Sequence, residues 1–233
     1  SGVTTLTADA ISAVTSVSVY LSSGNITLND NITAGTSVSV YSYSGNITLN
    51  DDITAGTCVN IISTSGTITQ AAGTITSGTY TTLDSTGTST IRSINSGDEI
   101  NFNVNTSATY NLGSSTIVAD GDVAIQAAAI VNANTSTWTV GGNWYNYGTF
   151  TPGTSTVTLN GSGTQTLTSG GSNFYGLTVS NTTANGVQLG GDLTVTNALN
   201  IGASALLDLE NRALTATGAS FSNDGTLKLQ GGQ

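Results

Sequence analysis

The chain has 233 residues, of which 7% are charged and 6% aromatic, with three basic residues, thirteen acidic ones and no histidine. A net charge of -10 excludes a basic patch for phosphates or anionic lipid headgroups, and the missing histidine excludes Ser-His-Asp and Cys-His catalysis. One proline among abundant Val, Ile and Thr favours strands over disorder.

Residues 23–43 read SGNITLNDNITAGTSVSVYSY, and residues 44–64 restate them as SGNITLNDDITAGTCVNIIST. The pattern reaches back to TSVSVYLS at residues 15–22 and forward to SGTITQ at residues 65–70, after which the register slips by one position. Within a unit Ile26, Leu28, Ile32, Val38 and Val40 alternate with Thr27, Thr33, Ser37 and Ser39, the period of strands buried on one face. Gly24, the pair Asn29 and Asp30, and the pair Ala34 and Gly35 punctuate the strands. A 21-residue unit of three short strands cannot bury its apolar face alone, but it can when stacked on copies of itself. The expected fold is therefore all-β: a right-handed parallel β-helix, or β-solenoid, with columns Ile26/Ile47/Ile68, Val17/Val38/Val59 and Val19/Val40/Ile61. At about 4.8 Å per coil, roughly eleven coils make a rod about 50 Å long. A β-sandwich or jelly roll is the alternative, since it also has many short alternating strands.

Three zones are expected in one continuous rod: a regular solenoid over residues 1–85, an irregular continuation over 86–136, and looser, aromatic-containing repeats over 137–233. In the last zone LTVSN at 177–181 recurs as LTVTN at 193–197, a shorter interval than in the first zone, and VGGNW is echoed by LGGDL. GNITLNDNITAGTSVSV resembles the haemagglutinin-type repeats of filamentous, two-partner-secreted bacterial exoproteins. The stretch from VGGNWYNYGTF to VQLGGDLTVTNALNI is similar to repeats of large surface proteins and autotransporter passengers. The resemblance implies a right-handed β-helix, export, and surface display or adhesion; no secretion-signal domain or translocator barrel accompanies it.

Residues that carry chemistry are sparse. The close acidic pairs are Asp51/Asp52, Asp98/Glu99, Asp120/Asp122 and Asp208/Glu210; the first two read as polar turns, and the chain is expected to be no enzyme and to need no cofactor. Asp9, Asp30 and Asp51, at equal intervals, suggest a column of solvated turn carboxylates or a calcium site. Asn29 and Asn50 suggest an amide ladder. Cys58 occupies the position of Ser16 and Ser37, so it should face outward. Asn-x-Ser/Thr sequons at Asn25, Asn31, Asn46, Asn105, Asn134, Asn160 and Asn181 accompany a composition that produces them by chance.

The aromatics between Trp138 and Tyr175 are expected to be mostly core, with Trp144, Tyr145, Tyr147 and Tyr175 as candidate ligand contacts. No charged cap or amphipathic helix marks either end of the pattern. Val3, Leu6, Thr226, Leu227 and Leu229 are accordingly candidates for end-to-end pairing, with Leu6 continuing the column of Leu227 or Leu229 across the joint. The expectation for function is a secreted, cell-surface structural protein that self-associates head to tail into a filament. The alternative is an adhesin stalk that binds surface glycans or proteins, and a polysaccharide-acting enzyme is a minor one. Neither nucleic acid nor membrane insertion is expected, since no apolar run approaches a membrane span.

Overall fold

The computed structural model describes residues 5–102, 107–218 and 220–229. Among these residues every element is a strand, and the strands pair in parallel. Three sheets of eight, twelve and eleven strands run along a β-solenoid of about 10 turns. The first sheet opens with Thr5–Ala8, the second with Ile11–Ala13 and the third with Ser16–Leu21, and the chain visits them in that order on each turn until the first sheet ends. A sandwich, built of antiparallel sheets, is excluded by this pairing.

The alternation in sequence becomes the inside and outside of the coil. Ile26 pairs with Ile47 and Ile47 with Ile68; Val17, Val38 and Val59 pair likewise, as do Val19, Val40 and Ile61. From the second coil onward these side chains are sealed from solvent, whereas Thr33 between them lies outside. Burying such a side chain is worth about 1.5–3 kcal/mol, which is why each coil needs a neighbour on both sides.

The corners explain the punctuation. Gly35, Gly56 and Gly78 stack so closely that a Cβ on Gly56 would collide with the Gly35 carbonyl, and one on Gly78 with that of Gly56. The polar residues at the corners form ladders in which an amide or carboxylate of one coil accepts a backbone N–H of the next. Asn25 Oδ1 accepts from Asn46 N at 2.9 Å and Asn46 Oδ1 from Thr67 N at 3.0 Å. Asp52 Oδ1 accepts from Thr74 N at 2.7 Å, and Asp122 Oδ1 from Asn143 N at 2.6 Å. The ladder expected at Asn29 and Asn50 is present, with Asn50 Nδ2 donating to Asn29 Oδ1 at 3.1 Å.

The looser second half has a definite shape. The first sheet ends with Thr149–Thr151. Beyond it, the nine-residue strand Leu193–Ile201 takes the place of two shorter ones. Its first part pairs with Leu214–Ala216 and its last part with Ser220–Asn223. One corner has been straightened, and a bulge between Phe174 and Gly176 absorbs the change. The widened interior is filled by aromatic side chains: Trp144 makes edge contacts with Trp138, Phe150 and Phe174, at centroid distances of 5.4, 5.0 and 5.4 Å.

Candidate functional site

Three regions were singled out by sequence: the aromatic group, the acidic corners and the end coils. The aromatic group divides in two. Trp144 is completely buried and belongs to the core, so it is no ligand contact. Its parity, opposite to that of Tyr145 and Tyr147, places it inward. Tyr145 and Tyr147 stack outside the third sheet with centroids 6.0 Å apart and planes 8° from parallel, and Tyr147 is 58% exposed. Tyr145 lies in the strand Trp144–Asn146, whereas Tyr175 lies in Phe174–Val179 of the second sheet, so these two belong to different faces. Partial burial, with Asp122 and Tyr147 nearby, pushes the Tyr145 phenol above its ordinary range.

A second pair, Tyr20 and Tyr41, stacks on the third sheet with centroids 5.3 Å apart. Tyr80 follows on that sheet, directly above Cys58. Cys58 is half-exposed on the polar side, as expected, and receives a weak contact from Asn60 Nδ2 at 3.9 Å. The Tyr80 phenol is raised, first by its hydrogen bond with Cys58, with Asn60 acting the other way. This run of tyrosines along one face was not foreseen, although Tyr20 and Tyr41 occupy the same place in successive repeats.

The acidic corners serve the backbone. Ala8 pairs with Leu28 and Ile11 with Ile32, so the first coil has one residue fewer at that corner than the next, and Asp9 is level with Asp30 when counted from the second sheet but not when counted from the first. Asp30 and Asp51 each accept the N–H of the following residue, at 2.8 and 2.9 Å. Among the described residues no group of three acidic or cysteine side chains is placed to hold a metal ion. Asp208 is buried and pairs with Lys228, whose pKa that hydrogen bond raises. A groove of about 280 Å³ along the corner of the fourth to sixth coils is lined by Gly73, Arg92 and Ser115. Of the sequons, Asn181 is buried and donates to Gly163 O at 2.7 Å, which removes it as a modification site, and Asn105 lies outside the described residues.

The end coils expose what the middle coils bury. Leu6 and Ile11 of the first coil are half-buried against the core, and so are Leu214 and Leu227 of the last. Phe221, paired with the fully buried column residue Leu199, is 54% exposed, and Leu229 is 60% exposed. The expected continuation from Leu6 to Leu227 or Leu229 does not hold, because Leu6 stands in the first sheet, whereas Leu227 stands in the third and Leu229 follows its last strand. Val17 and Val19 are the third-sheet counterparts of Leu227 at the other end. Thr226 begins the last strand, Thr226–Lys228, and Val3 lies outside the described residues. No protein-family model, curated protein or solved structure matches the chain.

Proposed function

We propose that the chain is a non-enzymatic structural rod of a secreted, cell-surface fibre, of the kind built from haemagglutinin-type repeats, whose end coils pair with those of neighbouring copies. The observation that supports this reading is the stacking of coil on coil along matched apolar columns, which Phe221 and Leu227 in the last described coil and Leu6 and Ile11 in the first would continue into a neighbour. The last coil offers three strands, Leu214–Ala216, Ser220–Asn223 and Thr226–Lys228, and the first coil offers three, Thr5–Ala8, Ile11–Ala13 and Ser16–Leu21. Set sheet on sheet, they bring Leu214 and Phe221 of the second sheet against Ile11, and Leu227 of the third against Val17 or Val19. Backbone ladder bonds then supply affinity and matching columns set the rotation. A contact between unlike ends does not close, so it grows.

Negative-stain microscopy of the purified chain tests this. Fibres one rod wide that lengthen with concentration are expected; separate rods about 50 Å long at every concentration would overturn it. The adhesin reading is supported by the exposed Tyr145/Tyr147 stack. It predicts that Tyr147→Ala weakens attachment to a glycan or protein surface and leaves fibre length unchanged.

A further inference from the structure

The first sheet carries an outward row that keeps its spacing where the rest of the chain does not. Thr27, Thr48, Thr69, Thr90, Asn111 and Asn132 occupy successive strands at one constant interval in sequence. The second sheet does not hold this interval: it contracts between Ile75 and its partner Ile94, and lengthens between Ile94 and its partner Ile117. Length changes are thus taken up at the corners and on other faces. A second row lies two positions earlier on each strand, from Thr5 to Thr149, and consists of Thr and Asn except at Ile130.

Neither row contains a charged or aromatic side chain. The absence of charge is general: the eight strands of the first sheet and the twelve of the second hold no Asp, Glu, Lys or Arg, in a chain of net charge -10. Strand propensity accounts for threonine, but it does not account for the exclusion of every charge, since acidic residues are carried at the corners. The side chains are also stiff. Threonine is branched at Cβ and restricted at χ1, and Asn132 Nδ2 donates to Asn111 Oδ1 at 2.8 Å along the row.

We infer that this face binds a periodic, uncharged lattice of hydroxyl groups, and that the lattice is ice. Rows of groups lie about 4.8 Å apart between strands and about 7 Å apart along each strand. Over eight strands the array is about 34 Å long. The oxygen lattice on the prism faces of hexagonal ice repeats close to both distances. An ion on this face would hold a hydration shell of its own geometry and break the match. Threonine offers a methyl group and a hydroxyl at most points of the two rows, with Asn at the others apart from Ile130, and this orders water without that penalty. A polysaccharide surface is the less suited ligand, because the face lacks the aromatic platforms on which sugar rings stack. The inference does not rest on end-to-end assembly, since single rods and fibres present the same face.

Ice-affinity partition tests it: an ice ball is grown slowly in a solution of the purified chain, and protein is measured in ice and in liquid. The wild type is expected to be enriched in the ice several-fold over an excluded reference protein. Thr69→Tyr and Thr48→Lys, in the middle of the row, are expected to abolish enrichment without moving the melting temperature. Ser39→Tyr, on the outer side of the third sheet, is expected to keep it. Exclusion of the wild type from ice, or equal enrichment of Thr69→Tyr and wild type at equal melting temperature, overturns the inference. So does retention on microcrystalline cellulose with exclusion from ice.

Discussion

The two tryptophans offer a comparison in which most unknowns cancel. Trp138 and Trp144 are both fully buried and touch each other, with centroids 5.4 Å apart. Trp138 Nε1 donates to Ser136 Oγ at 2.7 Å, whereas Trp144 Nε1 has no hydrogen-bond partner among the described residues. Replacing either with Phe removes the same atoms and leaves a similar void, so that cost is common to both. Trp138→Phe also loses a hydrogen bond worth about 1 kcal/mol and leaves the buried Ser136 hydroxyl unpaired. Trp144→Phe instead removes a buried, unsatisfied donor, a relief of about 1–3 kcal/mol. Trp144→Phe should therefore be the more stable variant by about 2 kcal/mol or more. For a chain of this size that corresponds to about 4–8 °C in melting temperature. Urea and thermal melts of the two single variants provide the measurement, and each retains one tryptophan whose emission reports on its own site. Equal stability, or Trp144→Phe as the weaker variant, would refute the reasoning about the unpaired indole.

Val38→Asp puts a carboxylate between Val17 and Val59 at a position with no solvent access. It should cost about 3–5 kcal/mol, whereas Ser37→Ala should stay within about 0.5 kcal/mol; similar melts for both would contradict the face assignment. Gly56→Ala drives a methyl group into the Gly35 carbonyl and should cost about 1–3 kcal/mol by denaturant unfolding. The raised pKa values of Lys228, Tyr80 and Tyr145 mean that the folded chain holds these protons more tightly than the unfolded chain. That contribution is complete below the ordinary values near 10 and is lost as pH rises through the raised ones, so melting temperature should fall from about pH 10 upward. Tyr80→Phe should reduce the fall. With no group of three acidic or cysteine side chains placed to hold a metal ion among the described residues, a chelator should leave the melting temperature unchanged.

The first three coils were legible because two periods coincide in them, the alternation of side chains along a strand and the long repeat of the whole unit. Together these place Ile47 or Val38 inside and name its neighbours. The slip after Gln70 was also legible, and it appears as the lengthened step from Ile53 to its partner Ile75. The second half was not, because its coils change shape: the fusion of two faces in Leu193–Ile201 replaces a corner, and no local pattern announces a lost corner. The error at Leu6 and Leu227 follows from this, since assigning a residue to a sheet requires counting corners through the irregular zone. The error at Trp144 has a nearer cause, because an aromatic was weighed by its type rather than by its parity with Tyr145. The Asx ladders at Asn25 and Asp122 went unread, although Asn25 and Asn46 repeat at the same interval as Asn29 and Asn50.

The central claim is that coils stack along one axis and continue across the joints between copies. X-ray diffraction from an oriented fibre pellet measures it directly. The account predicts a strong reflection at about 4.8 Å along the fibre axis, from strands lying across it, with no break in its sharpness at the length of one rod. The same reflection perpendicular to the fibre axis, or one whose width limits coherence to about 50 Å, would contradict it.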